Sequence, residues 1–418
     1  MTISAQVHVY RRDFLKVVAT GWALSASPLA PGGSAQAPRN GLLAADYTVV
    51  AQRPDAEHYI HDPAMTILPG GKLVAAVPIW RRASRPEGGN RTVSIILSED
   101  KGATWRRVCE KPYAEAVLLV HEGRLYMFTQ YRTFDGLWVT VSDDEGRNWA
   151  EAVEVIKGTP DRKLCLVQMG MVIRDGWLYW ACSQEYREMG AVACDLRKGL
   201  LNPASWISSG LVGMPVPDAL ISGKFTDGNP TMRCLEGNIV DVHGRLLVIA
   251  RALINRYGTA NMAAVFDLER TGEKLNLSFR QLYPVPGGQC KFYILYDAPT
   301  RLFWMASNLP TNSQDLIQAT TRFPNPFPGT PRTLREDRRI LMLSYSLDAL
   351  NWITAGCIAK ADKSSQSFMY PVLAVDGDDL VVLARTARDS KDYHDADLAT
   401  FHRVRDFRSL AMNLEPRM

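Results

Sequence analysis

Side chains able to do acid–base or nucleophilic chemistry gather at the ends of apolar runs in this 418-residue chain. His61 and Asp62, Glu115, Gln168, Glu236 and Asn238, Lys291, and Tyr370 stand where such runs begin. Trp80 to Arg82, Gln130 to Arg132, Glu185 with Tyr186, Arg251, Asn308 and Arg385 stand where they stop. For any one of these residues a solvated turn explains the polarity equally well; convergence of the whole set on one axis is the stronger argument for a site. An imidazole beside a carboxylate, as in His61-Asp62, can serve as general acid or base because its reference pKa lies near ~6.5. A structural histidine next to the Pro63 turn is the alternative. A phenol such as Tyr370 starts from a pKa of about 10 and attacks at neutral pH only beside a base. In KDYHDADLATFH, His394, Asp395 and Asp397 can reach a ligand hydroxyl or a metal. Neighbouring His and Asp in a strand point to opposite faces, so a hydrogen bond bracing their own loop is the other reading.

Other chemistries find no support. The seven cysteines (109, 165, 182, 194, 234, 290 and 357) are widely spaced and lack any C-x-x-C pair. That speaks against a zinc site or a dense disulfide set and for small core residues. Lys and Arg number 48 against 44 Asp and Glu, a net charge of +4, with no block of five or more basic residues. Charge therefore gives no reason to expect a nucleic-acid partner.

The elements that must position these groups are β-hairpins. An apolar run, a turn and a second apolar run recur as MTILPGGKLVAAVPIW (65–80), LLVHEGRLYMFTQY (118–131) and MVIRDGWLYWACSQEY (171–186). The pattern returns as IVDVHGRLLVIAR (239–251), ILYDAPTRLFWMASN (294–308) and VLAVDGDDLVVLAR (372–385). Turn residues between runs of strand formers make hairpins, and hairpin units repeating every ~40–70 residues make a β-propeller. Six units predict an all-β, six-bladed β-propeller occupying 38–418 as a single domain, with a strand within 44–56 joining the last blade to close the ring. The chain before it reads as an export signal. YRRDFLK at 10–16, a short apolar stretch and Ala35-Gln36-Ala37 have the features of a twin-arginine signal peptide over 1–37. The stretch is too short for a membrane span of ~20 apolar residues. The expected location is periplasmic or secreted.

SEDKGATW (98–105), SDDEGRNW (142–149) and a degenerate SLDALNW (346–352) resemble the Asp-box, S-x-D-x-G-x-[TN]-W, of the sialidase superfamily. In such a turn the Asp bonds backbone amides, Gly takes positive φ and Trp packs between sheets. The resemblance implies that these turns lie on the face opposite the pocket, and that inner-strand entrances and second-strand exits face the site.

Three further matches imply chemistry. CLEGNIVDVHGRLLVIAR (234–251) resembles the sialidase segment in which a pocket Glu opens a strand and an Arg ends its hairpin partner, which implies Glu236 as the base and Arg251 as a carboxylate-binding arginine. SFMYPVLAVDGDDLVVL (367–383) resembles the final-blade segment with the nucleophilic tyrosine, implying Tyr370. The departures are as informative. Where that superfamily has Y-R-I-P early in the first blade, this chain has YIHDPAM, so His61 and Asp62 replace an arginine, and imidazole does not substitute for bidentate guanidinium binding. The aspartate of the following loop has no evident counterpart; in SRPEGGNR, Glu87 is the nearest carboxylate. The third arginine has no evident counterpart either; Lys291 in GGQCKFYILYD is the nearest cation, with Arg385 as the other option.

The expectation is an exported exo-glycoside hydrolase acting on a terminal, acidic sugar at the non-reducing end of an oligo- or polysaccharide. Catalytic candidates are Tyr370, Glu236, His61 and Asp62; substrate-binding candidates are Arg251, Lys291, Arg385, Arg81, Gln168, Glu87 and His394. No cofactor is expected beyond an optional structural calcium. A polysaccharide lyase acting at a uronic acid through His61 and Tyr370, and a glycan-binding propeller without activity, are the competing classes. The stretch from Leu309 to Arg338 reads as a lid or a surface excursion.

Overall fold

The computed structural model describes residues 41–412 except 82–90, 132–134, 160–163, 185–187, 216–232, 254–260, 311–336, 364 and 391–392. Six antiparallel sheets form the six blades of a β-propeller. The four main strands of blade I are Ala64–Ile67, Leu73–Arg81, Arg91–Ser98 and Arg106–Lys111, and those of blade II are Glu115–His121, Arg124–Gln130, Leu137–Ser142 and Val153–Ile156. Blade III is built around Val172–Arg174, Trp177–Gln184, Glu188–Asp195 and Trp206–Ser208. Blade IV comprises Arg233–Val242, Arg245–Leu253, Met262–Thr271 and Lys274–Pro284, and blade V Tyr293–Asp297, Leu302–Asn308, Ile340–Ser346 and Ile353–Lys360. Blade VI takes Ser367–Asp376, Asp379–Ala387 and Leu398–Val404 from the end of the chain and Tyr47–Gln52 from its beginning.

Second strands are buried nearly end to end: WLYWACSQ (177–184) is buried at every residue. Each blade is sandwiched between two others, so both faces of these strands are dry and the sequence reads as an unbroken apolar run. Outer strands show the opposite habit; KLNLSFRQLYP (274–284) alternates between exposed and sheltered positions. The described residues include no helix long and apolar enough to cross a membrane.

Ring closure follows the expectation, narrowed to Tyr47–Gln52, which pairs antiparallel with Leu398–Val404. Buried His402 braces the seam: its Nδ1 lies 3.1 Å from the Ala44 carbonyl oxygen and its Nε2 3.0 Å from Thr400 Oγ1. Burial pulls its pKa down to about 4, so the imidazole is neutral at pH 7.

The S-x-D turns fold as their residue types dictate. Thr104 N donates to Asp100 Oδ1 at 2.8 Å and Gly102 N to Ser98 Oγ at 2.8 Å. In the second turn, Asn148 N donates to Asp144 Oδ1 and Gly146 N to Ser142 Oγ, both at 2.8 Å. The Trp105 and Trp149 indoles donate to the carbonyls of Gly102 and Gly146. In the degenerate third turn Ala349 takes the left-handed conformation, with φ of 58°. These turns follow third strands and so lie at the end of the blades opposite the inner-strand entrances.

Candidate functional site

Glu236 and Tyr370 occupy equivalent places, three residues into the inner strands of blades IV and VI. Each sits where the register with its partner strand slips, between Leu235 and Gly237 and between Met369 and Val372. Both have left-handed backbones, with φ of 55° and 51°. Most other non-glycine residues with positive φ fall in turns, whereas these two lie inside strands. A bulge re-aims one side chain out of the pleat, and a left-handed non-glycine residue costs on the order of 1–3 kcal/mol. Both residues are buried.

Four buried cations surround them. Arg251 Nη1 donates to Glu236 Oε2 at 3.1 Å and its Nε to the Gln289 carbonyl at 2.7 Å. Lys291 Nζ donates to the Pro371 carbonyl at 2.7 Å and stands 5.9 Å from the centre of the Tyr370 ring. The guanidinium carbons of Arg338 and Arg385 each lie 5.1 Å from that ring. Burial pushes the Tyr370 phenol above its ordinary range, and the Glu236 charge pushes it further, against the pull of Arg338 and Arg251. Desolvation brings Lys291 down to about 8, against the attraction of Asp62 and Glu236.

On the blade I side, the His61 ring stacks on Trp80 with centroids 3.6 Å apart and planes 2° from parallel. The Arg91 guanidinium lies 4.1 Å from the same indole centre. His61 Nδ1 is 3.4 Å from Glu115 Oε2 and 3.9 Å from Asp62 Oδ2. These are ion-pair distances; neither contact has hydrogen-bond alignment, and Nδ1 is buried without a hydrogen bond. Burial lowers the imidazole's pKa while Glu115 raises it, and burial raises both Glu115 and Asp62.

The sequence candidates divide accordingly. Tyr370, Glu236, Arg251, Lys291 and Arg385 converge. Asp62 joins them as an anchor: its Oδ1 accepts from Arg385 Nη1 at 3.0 Å. His394 stands behind Arg385, with its Nδ1 3.3 Å from Arg385 Nη2 and 3.0 Å from Asp395 Oδ1 and its carbonyl accepting from that guanidinium, so it braces the arginine. Asp397 caps its own loop through Arg388 N and Asp389 N. Gln168 bridges two blades, its Oε1 accepting from Leu118 N at 2.7 Å and its Nε2 donating to Leu118 O. Its amide is thus engaged by a neighbouring blade. Arg81 ends its strand exposed. Glu87, Arg132, Glu185, Tyr186 and residues 1–37, read above as an export signal, lie outside the described residues, as does most of 309–338.

Arg338 is the cation the sequence reading missed. It is 2% exposed, yet it follows the long Pro- and Thr-rich stretch and precedes an ordinary strand, so no apolar run marks it. Its place just ahead of Ile340–Ser346 was the available signal. From the sequence Glu115 reads only as a strand-end carboxylate, because its partner, His61, comes from another blade.

A cleft of about 660 Å³ lined by Tyr47, Asp100, Gly102, Asp376, Phe401 and Arg403 lies by the first S-x-D turn, at the far end of the blades from this cluster.

No protein-family profile matches the chain, and no curated protein does. Solved structures do. The Hadza microbial sialidase Hz136 superposes with a TM-score of 0.55 at 16% identity, over 86% of this chain and 68% of its own. A Trypanosoma rangeli sialidase in complex with sialic acid gives 0.54 at 15%, over 87% of this chain and 59% of its own. A protein of unknown function from Dyadobacter fermentans gives 0.54 at 11%, over 88% and 100%. The chain thus has a sialidase-like propeller fold, divergent in sequence.

Proposed function

We propose that the hub is the active site of a glycoside hydrolase that removes a terminal, anionic sugar from the non-reducing end of a glycan. One observation carries the reading: a buried phenol and a buried carboxylate, each on a strained bulge, face one hub among four buried cations. A left-handed tyrosine inside a strand persists only where its surroundings enforce it, and buried cations favour an anionic ligand. Arg251, Lys291, Arg338 and Arg385 are the residues to hold the sugar's carboxylate. Fold kinship with sialidases is consistent with this and does not by itself establish it.

On this reading Tyr370 Oη attacks the anomeric carbon while its proton passes to Glu236. A phenol whose pKa is raised attacks only in concert with that transfer, and Arg251 keeps the carboxylate oriented. Residues 1–37, with Arg11 and Arg12, would direct export, so the glycan would be met outside the cytoplasm.

The test is a panel of glycans ending in sialic, uronic and neutral sugars, scored for release of the terminal monosaccharide. Release from an acidic terminus is expected, and Tyr370→Phe and Glu236→Gln should each lower turnover at least ~10³-fold with circular dichroism unchanged. An unsaturated, ultraviolet-absorbing product would instead identify a uronate lyase. Binding without any product, indifferent to Tyr370→Phe, would identify a glycan-binding propeller.

A further inference from the structure

The Tyr370–Glu236 pair leaves a glycosidase without a proton for its leaving group, and the described hub has few groups free to give one. Glu236 faces Arg251. Asp62 Oδ1 is held by Arg385. His394 is turned to Arg385 and Asp395. His61 differs from these: its ring is clamped flat on Trp80, its Nδ1 is turned toward the carboxylate of Glu115 from blade II, and its side chain keeps 12% of its surface exposed. With Nδ1 buried, Nε2 is the nitrogen left for a ligand.

We propose that His61 is the general acid/base of this site, donating its Nε2 proton to the departing sugar oxygen, with Glu115 as its positioning residue. The proposal rests on the hydrolase reading above. In the first step the Tyr370 Oη–anomeric carbon bond forms and the bond from that carbon to the leaving oxygen breaks. The leaving oxygen takes the Nε2 proton, and the phenolic proton goes to Glu236. In the second step a water oxygen bonds the anomeric carbon and the carbon–Oη bond breaks. The water's proton returns to Nε2, and Tyr370 recovers its own from Glu236. Protons and electrons balance with no further reactant.

Glu115 has a physical task in this cycle. The donor form is the imidazolium, which burial disfavours and a carboxylate at Nδ1 stabilises. The same contact favours the tautomer that keeps its proton on Nδ1 after transfer. Among the described residues the charged and titratable groups facing the ring are Glu115, which favours the imidazolium; Arg385 and Arg91, which oppose it; Asp62 beside it; and the Tyr59 phenol, whose ring centre lies 6.1 Å away. Because the acid must be protonated, turnover of substrates with poor leaving groups falls as pH rises through the imidazolium's pKa. Removing Glu115 moves that fall to lower pH.

Leaving-group dependence separates this role from a structural one. The probes are the methyl and 4-nitrophenyl glycosides of N-acetylneuraminic acid and of glucuronic acid. His61→Asn, and His61→Ala as a second variant, should lose at least ~10²-fold in kcat/KM on the methyl glycoside and under about 10-fold on the nitrophenyl one, which needs little protonation. Equal losses on both, or none, overturn the assignment. In Glu115→Gln the high-pH limb of kcat/KM on the methyl glycoside should shift to lower pH. The His61 imidazole titration, followed by NMR and assigned by its absence in His61→Asn, should shift the same way. An unmoved titration overturns the coupling whether or not the protein turns over. A wild type inactive on both glycosides sinks the hydrolase reading, and the donor role with it.

Discussion

Lys291 is 1% exposed, and it holds its ammonium against a backbone carbonyl in a place where most proteins would not leave a lysine. Its pKa, brought down to about 8 from 10.5, has two consequences of defined sign. Between these values the unfolded chain holds a proton that the folded one has released, so the lysine's contribution to stability rises with pH across that window. Affinity for an anion moves the other way, falling as pH rises through about 8 and the ammonium is lost. Urea unfolding of wild type and Lys291→Met from pH 7 to 10 should show the wild type gaining about 2 kcal/mol relative to the variant. Parallel curves would mean that the lysine is not desolvated. The window stops at pH ~10 because phenols then begin to titrate in the unfolded chain.

Among the elements, the hairpins were readable because their turns and apolar runs are local. The bulges were not: CLEGN and SFMYP contain nothing that announces a left-handed residue, and the slip in register exists only relative to the partner strand. Glu236 and Tyr370 could be singled out by resemblance, whereas their shared backbone geometry could not. The S-x-D turns illustrate the converse, a local motif with a long-range demand. Gly102 has φ of +91°, and a Cβ there would overlap the Phe401 ring at Cε1 in blade VI. Phe401 is itself wedged against Trp105, with centroids 5.4 Å apart. Gly123, in a hairpin turn with φ of +77°, has nothing within 4 Å of that position. Gly123→Ala should therefore cost about 1–2 kcal/mol, the price of the left-handed backbone, and Gly102→Ala a further ~1–3 kcal/mol for overpacking. Equal costs in denaturant unfolding would show that the seam between blades I and VI is loose there.

For the whole molecule, the seam matters because the strand from the beginning of the chain covers the edge of Leu398–Val404 and ties both ends of the ring into one blade. Tyr47–Gln52 supplies that closure, and its Thr48 hydroxyl donates to Gly102 O at 2.8 Å, tying the seam to blade I. A chain beginning at Arg53 should melt at markedly lower temperature, over a broader range, and should self-associate through the bared strand Leu398–Val404. Calorimetry and sedimentation check both, and a shortened chain that stays monomeric with unchanged Tm would count against closure as the source of cooperativity. Closure also gathers the site: Asp62 and Arg385, paired at 3.0 Å, are 323 residues apart in sequence.

What the sequence determined by itself is whatever depends on neighbours along the chain: strands from apolar runs, turns from Gly and Asp, six repeats, and polar residues at the strand ends that face the hub. Only the tertiary structure decided which of those residues meet. It took Gln168 for the backbone of blade II, set His394 behind Arg385, brought in Arg338 from beyond a long connection and put Glu115 beside His61. Hydrogen bonds and charge pairs act over a few ångströms of space, and a ring of six sheets sets those distances with little regard to separation along the chain.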